Sequence, residues 1–236
     1  DLLVAGYSGA INYYENTGTS DAAVFDTAVA NPFGLTSAYY YAFMTAADLD
    51  DDGDIDLLVG EYYGDLLYYE NTGTAASPAF AAPTANPFGL NTGSSLLDMP
   101  TFVDIDDDGD FDLISCSIVY AGNPSMVFHE NTGSAASPAF APSVADPFGI
   151  VVNAAYFEEP AMADIDGDGD FDLLTSENYG NFAYYENTGT QANPAFAAPQ
   201  ANPFSLTPGA SSFIFPEFVD IDNDGDFDVL GSGYYG

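Results

Sequence analysis

The sequence predicts an all-β fold of four successive four-stranded units, each about 57 residues long. Three markers recur in fixed order. An aspartate-rich loop starts at residues 48, 104, 164 and 220. The segment YYENTG falls at 13–18, 68–73 and 184–189, with FHENTG at 128–133. ANPFGL at 30–35 and 85–90 returns as ADPFGI at 145–150 and ANPFSL at 201–206. Between the markers lie apolar runs rich in Phe, Tyr, Val, Ile and Leu, separated by Gly, Pro, Asn and Asp, which is the composition of short strands joined by turns. No segment carries an amphipathic helical period over three turns.

Within a unit the elements follow in order. An apolar run such as PTFVDI (100–105) forms the first strand, and the Asp loop turns it into a second, FDLISCS (111–117). The third strand ends in ENTG, where Asn-Thr-Gly predicts a turn whose glycine can take a positive φ. A weaker fourth strand lies around SPAF (77–80 and 137–140), and the proline of NPFG breaks the chain before the next unit. Leu57, Leu58 and Val59 are consecutive apolar residues, as are Tyr68 and Tyr69, and a strand of that kind is covered on both faces. Small sheets stacked face to face give such cover, which is how β-propeller-type blades pack. The chain therefore reads as a single repeat region, 1–236, with approximate units 1–45 (partial), 46–99, 100–159, 160–214 and 215–236 (partial), belonging to a larger propeller or repeat array.

Aligned on its first aspartate, each loop reads D-x-D-x-D-G-D-x-D. The first set is Asp48, Asp50, Asp52, Asp54 and Asp56, and the second Asp104, Asp106, Asp108, Asp110 and Asp112. The third is Asp164, Asp166, Asp168, Asp170 and Asp172, and the fourth Asp220, Asp222, Asp224, Asp226 and Asp228. Carboxylates crowded into one turn repel one another unless a cation sits between them. Hard oxygens at alternate positions suit Ca²⁺, which takes roughly six to eight oxygen ligands, better than Mg²⁺, which holds to a strict octahedron. The spacing assigns side-chain ligation to positions one, three, five and nine and a main-chain carbonyl to position seven, with about four Ca²⁺ ions, one per loop. Gly53, Gly109, Gly169 and Gly225 at position six allow the bend. An EF-hand opens the same way, but it requires Glu at position twelve between helices, and Val59, Ser115, Thr175 and Gly231 stand there.

The segments AADLDDDGDIDLL (46–58), FVDIDDDGDFDLI (102–114), MADIDGDGDFDLL (162–174) and FVDIDNDGDFDVL (218–230) resemble the FG-GAP/VCBS-type repeats of integrin α-subunit propellers and bacterial extracellular proteins. The resemblance covers nearly all of the chain. It implies a propeller whose Asp loops join the first two strands of each blade and hold Ca²⁺, and an extracellular or cell-surface location. It implies no single function, because such repeats occur in adhesins, lectins, enzyme accessory domains and surface proteins.

Composition narrows the partners. The chain has 37 acidic residues and no Lys or Arg, where ordinary usage would give roughly 25–30 basic residues. With 17 Tyr and 19 Phe it is far too aromatic for a disordered acidic tail. Of the acids, 22 sit in the four Asp loops, so the charge is mostly local. A net charge of −37 argues against nucleic acid and anionic membrane as partners, and no apolar run is long enough for membrane insertion. Cations and glycans remain. Cys116 is the sole cysteine, which excludes an intrachain disulfide and reads as a buried thiol.

Other polar residues have mainly structural readings. His129 replaces the second tyrosine of YYENTG and reads as a packing substitution, and no nucleophile and base are paired in the sequence, so no enzyme is expected. Glu15, Glu70, Glu130 and Glu186 recur in every ENTG, which favours a turn role over the paired acids of a glycosidase. The tyrosine pairs read as inter-blade packing, with exposed members able to stack on sugars. The expected function is a calcium-stabilised extracellular structural or adhesive repeat protein, a component of a fibre or surface layer; the alternative is a lectin-like propeller module binding a glycan or protein. A binding site is expected where the units differ, at 39–44, 89–100 and 151–160. DLLVAGYSG (1–9) and DVLGSGYYG (228–236) offer the same strand, which leads to the expectation of end-to-end self-association or continuation into a longer repeat chain.

Overall fold

The fourth strand is not SPAF, where Phe80 and Phe140 make only isolated bridges to Asn71 and Asn131, but the two residues before the NPFG marker; short runs of β-branched and aromatic residues between turn residues become the other strands. In the computed structural model, which describes all residues except 37, 39, 92–95, 119–124, 151–158, 177–179, 208–213 and 234–236, they build antiparallel sheets of chain neighbours. β1 (Leu2–Ala5), β2 (Ile11–Tyr14) and β3 (Val29–Ala30) form a three-stranded sheet. β4 (Phe43–Ala47), β5 (Asp56–Gly60), β6 (Leu66–Tyr69) and β7 (Thr84–Ala85) form a four-stranded one. The same order recurs in β8 (Leu96–Val103), β9 (Asp112–Ile118), β10 (Ser125–His129) and β11 (Val144–Ala145), and again in β12 (Pro160–Ala163), β13 (Asp172–Ser176), β14 (Phe182–Tyr185) and β15 (Gln200–Ala201). β16 (Ile214–Val219) pairs with β17 (Asp228–Gly233).

These sheets are the blades of a β-propeller, as the sequence predicts. Their first strands pack side by side. Phe102 N donates to Thr45 Oγ1 at 3.2 Å, and Thr101 Oγ1 donates to the Pro160 carbonyl at 2.6 Å. The rings of Phe43 on β4 and Phe215 on β16 meet edge to face at 5.0 Å. The outermost strands are two residues long and exposed, which leaves little edge for unwanted pairing.

The consecutive apolar runs divide between two inter-blade layers. Leu57 and Val59 of β5 pack with Ile11 and Leu35 of the preceding unit, whereas Leu58 packs with Leu90 and with Leu113 of the following blade. In β13, Leu173 joins Ile105 and Ile114, and Leu174 joins Ile214 and Phe218. The tyrosine pairs split the same way, Tyr69 backward and Tyr68 forward. Cys116 is buried in the layer between the β8–β11 and β12–β15 blades.

The NPFG marker closes a blade by extending its ladder with a side chain. Asn86 adopts a left-handed conformation, its N–H donates to the Leu66 carbonyl at 2.7 Å, and its Oδ1 accepts from Leu66 N at 3.0 Å. Asn31 on Ile11 and Asn202 on Phe182 repeat both bonds. The phenylalanine that follows is also left-handed, at φ 55 to 59 in all four units, and its ring packs on the first aromatic residue of the same unit's third-strand marker, as with Phe88 on Tyr68 at 5.1 Å. That contact and the ladder bonds hold a conformation that costs a bulky residue on the order of 1–3 kcal/mol.

The ENTG turn differs from expectation in one respect. Its glycines do not have positive φ; they are required by close approach, since a Cβ on Gly73 would collide with the Ser77 carbonyl, and Gly18, Gly133 and Gly189 meet the same obstacle. Asn71 causes the approach, because its Oδ1 accepts from both Gly73 N at 3.1 Å and Ala79 N at 2.9 Å and folds the chain back on itself. Glu70 serves the turn through its main chain, whose carbonyl accepts from Ala81 N at 2.8 Å.

Candidate metal centre

Each Asp loop joins the first strand of a sheet to the second, at β4–β5, β8–β9, β12–β13 and β16–β17, so the four loops recur at the same end of their sheets. The first carboxylate organises the turn. Asp48 Oδ1 accepts from Asp52 N at 3.1 Å and Oδ2 from Gly53 N at 3.0 Å, and Asp52 Oδ1 accepts from Asp54 N at 3.1 Å. Asp104, Asp164 and Asp220 make the same pair of bonds. Gly53, Gly109, Gly169 and Gly225 have φ between 93 and 100, as their place at the bend demands. Position four is left-handed as well, in Asp51, Asp107, Gly167 and Asn223. The sequence reading missed this, although Asp, Asn and Gly are the residues that tolerate such a conformation best.

The turn brings positions one, three and five together. Carboxylate oxygens of Asp48, Asp50 and Asp52 lie within 4.8 Å of one another, and so do those of Asp104, Asp106 and Asp108, of Asp164, Asp166 and Asp168, and of Asp220, Asp222 and Asp224. Burial first, then the neighbouring carboxylates, raises the pKa of Asp50 and Asp106; for Asp222 the charge of Asp224 comes first. Position seven adds a further acid. Asp54, Asp110 and Asp170 are 6%, 9% and 7% exposed, and each has a buried Oδ1 with no hydrogen-bond partner, as have Asp50 and Asp106. Asp226 is exposed.

Position nine faces another way. Asp56 Oδ1 accepts from Asn71 N at 2.7 Å, and its Oδ2 accepts from the Tyr68 hydroxyl at 2.8 Å and, at 3.4 Å, from Leu49 N. Asp172 repeats this with Asn187, Tyr184 and Ile165, and Asp1 with Asn16 and Tyr13. The ninth carboxylate thus ties the loop to the ENTG turn. Asp112 is the exception: Asn131 N donates to its Oδ1 at 2.7 Å, but Phe128 stands where the tyrosine would be, so no hydroxyl reaches its buried Oδ2. Burial pushes Asp56 up to about 6 and Asp112 up to about 7. Asp228 is exposed and accepts from Ile221 N at 3.2 Å.

The donor set fits a hard divalent cation. All side-chain donors are carboxylate oxygens, no Lys or Arg competes for them, and the orphaned buried oxygens recur in successive loops. Of the three segments in which a binding site was expected, residues 39, 92–95 and 151–158 lie outside the described residues. Among the described residues no helix is long and apolar enough to cross a membrane.

Comparison with known proteins agrees with this geometry. The sequence model of the FG-GAP-like repeat matches residues 48–115 and 164–231, more than half of the chain. Among solved structures, an Agrocybe aegerita lectin, described by its specific recognition of non-reducing terminal N-acetylglucosamine, is similar with a TM-score of 0.51 at 20% identity. The match covers 95% of this chain and 55% of the lectin, so the chain spans about half of that protein's length, and the likeness is one of fold. The Photorhabdus luminescens Tc holotoxin pore matches over 98% of this chain and 13% of its own, at 15% identity and a TM-score of 0.41. No curated protein matches the chain.

Proposed function

We propose, because this chain belongs to the FG-GAP-like repeat family, that it is a calcium-stabilised, non-enzymatic repeat protein of the extracellular or cell-surface space, acting as a structural or adhesive element of a fibre or surface layer. One observation carries the reading: buried carboxylate oxygens without a partner recur in the loops of a chain that has no basic residue to neutralise them. Positions one, three and five would supply carboxylate oxygens and position seven a further oxygen, while position nine anchors the loop to ENTG. A bound Ca²⁺ supplies the positive charge that offsets repulsion within each loop.

Thermal melts with and without chelator test this. Calcium at a hundred times Kd stabilises by about 2.7 kcal/mol per independent site, so chelation lowers the melting temperature strongly and reversibly. Calorimetric titration should find close to one ion per loop. A melt unchanged by excess chelator rules the reading out.

A second reading, a glycan-binding module, is supported by the fold shared with the Agrocybe lectin and by Tyr7, Tyr40 and Tyr63, which are about 60% exposed at blade ends. A glycan array on the calcium-loaded protein separates the two, because the scaffold reading predicts no hit.

A further inference from the structure

Tyrosines from three segments meet at the ends of the first two sheets. Tyr7 lies in the turn from β1 to β2, Tyr40 and Tyr41 in the segment that leads into β4, and Tyr62 and Tyr63 in the turn from β5 to β6. Tyr40 and Tyr41 belong to 39–44, one of the segments in which a binding site is expected. The rings form a continuous row: Tyr40 lies 5.8 Å from Tyr7, Tyr7 lies 4.8 Å from Tyr41 and nearly perpendicular to it, Tyr41 stacks on Tyr62 at 5.7 Å, and Tyr62 meets Tyr63 edge to face at 5.3 Å. Tyr7, Tyr40 and Tyr63 are 59%, 57% and 61% exposed, so the row presents aromatic surface at both of its ends.

The main chain holds the row in place. Tyr41 N donates to the Tyr7 carbonyl at 3.2 Å, and Tyr62 N donates to the Tyr40 carbonyl at 3.1 Å, so the segment carrying Tyr40 and Tyr41 is pinned to the turns on either side. Tyr41 has φ 56, a left-handed conformation that is strained for a bulky residue. Strain of this kind persists where the surroundings impose it, and it collects at binding sites. A platform fixed before its ligand arrives loses little entropy on binding.

The charge of the chain selects the ligand. Exposed tyrosine faces attract cations through the ring quadrupole, and arginine stacks on them with its planar guanidinium. The surrounding field has the sign that a cation seeks: Asp65 closes the turn that carries Tyr62 and Tyr63, and the whole chain has a formal charge of −37 with no Lys or Arg to oppose an incoming cation. An anionic partner is repelled by the same field, and a neutral one gains only the stacking. An extended peptide carries side chains on one side at intervals of about 6.4–6.8 Å, a step comparable with the spacing of the rings, so alternate arginines reach successive parts of the row.

We infer that the tyrosine row is a docking site for an extended arginine-rich segment of another protein. This rests on the adhesive reading and names its partner, while the chelator melts decide the calcium scaffold separately. A fluorescent peptide of alternating arginine and serine is titrated into the full chain in calcium at physiological ionic strength, and its anisotropy is followed. Binding should saturate, and the same peptide with citrulline in place of arginine, alike in shape but uncharged, should bind about tenfold more weakly or worse. Because tyrosine is neutral, Tyr7→Ala combined with Tyr40→Ala, and separately Tyr63→Ala, remove rings without changing the net charge. Each should weaken the arginine peptide severalfold with little change in melting temperature, and Tyr7→Phe should retain it. Tyr63→Ala lies in a different turn and keeps the test open if the double variant folds poorly. Arginine-peptide binding that is unchanged in these variants is attraction to net charge alone and overturns the inference, as does a citrulline peptide that binds equally well. Chitotriose that binds the parent and is lost with the same rings, beside an arginine peptide that does not bind, also overturns it and leaves the glycan reading standing.

Discussion

Replacing Phe128 by tyrosine should stabilise the protein, and the neighbouring blades show by how much. Tyr68 and Tyr184 donate to the ninth-position carboxylates at 2.8 and 2.9 Å, whereas no hydroxyl reaches the buried Oδ2 of Asp112. The new hydroxyl has a place prepared for it. Phe128 packs on Phe148 at 5.1 Å, the same separation as Tyr68 on Phe88, so the two rings stand alike in their blades. A hydrogen bond to a charged acceptor contributes about 1.5–3 kcal/mol, and after desolvation of the phenol the expected gain is about 1–2 kcal/mol. In a domain of this size that corresponds to a rise in melting temperature of roughly 2–8 °C. The sign with pH follows from the bond's preference for the ionised acid: the gain is full above pH 7, where Asp112 is charged, and shrinks as pH falls through about 7. Reversible thermal and urea melts of the variant and its parent measure it, with Tyr68→Phe as the mirror experiment, expected to lose a similar amount. A folded Phe128→Tyr protein no more stable than its parent, beside a Tyr68→Phe protein that loses nothing, would refute the reasoning.

Glu159 is pushed up to about 8, by burial first and then by the charge of Glu217, so the folded state holds a proton that the unfolded chain releases above its ordinary value near 4.5. Stability should therefore fall as pH rises from about 4.5 to about 8, and Glu159→Gln should flatten that slope in melts across the range. Gly73→Ala drives a Cβ into the Ser77 carbonyl and should cost about 2 kcal/mol or more in denaturant unfolding. Asp50→Asn should leave the protein as stable as its parent, or more so, in chelator, where it relieves repulsion within the loop. In calcium it should reduce the number of ions bound in calorimetry by one.

The fold was legible because the repeats encode two faces at once. Leu57, Leu58 and Val59 required cover on both sides, and the structure supplies it from different blades. The triads at positions one, three and five were equally readable, since alternate residues of a glycine-bent turn point one way. The ninth position was less so. Its partners Asn71 and Tyr68 lie 15 and 12 residues away, and only the antiparallel return of β6 beside β5 brings them to Asp56. Glu159 escaped notice for a related reason. It precedes Pro160, and the strand register places it where Phe43, Met99 and Phe215 stand in the other units, in the layer where the first strands meet. Its burial is therefore a property of alignment between blades, and no local pattern reveals it.

A chain without Lys or Arg must answer its carboxylates with N–H groups, hydroxyls, water or an external cation, and the Asp loop divides the work by position. Position one is answered by two main-chain N–H groups and position nine by Asn71 N and the Tyr68 hydroxyl. Both sets of donors belong to the fold and hold the loop from within the protein. Position three in the first two loops and position seven in the first three are left with buried oxygens that no donor reaches. A loop pre-shaped in this way loses little conformational entropy on binding, while its unanswered charge disfavours the empty state. On the calcium reading proposed above, positions three and seven would contribute affinity and positions one and nine rigidity. Asp1 at the head of β1 accepts the same two bonds, from Asn16 N and the Tyr13 hydroxyl, so the bracing of the ENTG turn by the ninth position recurs in that sheet as well.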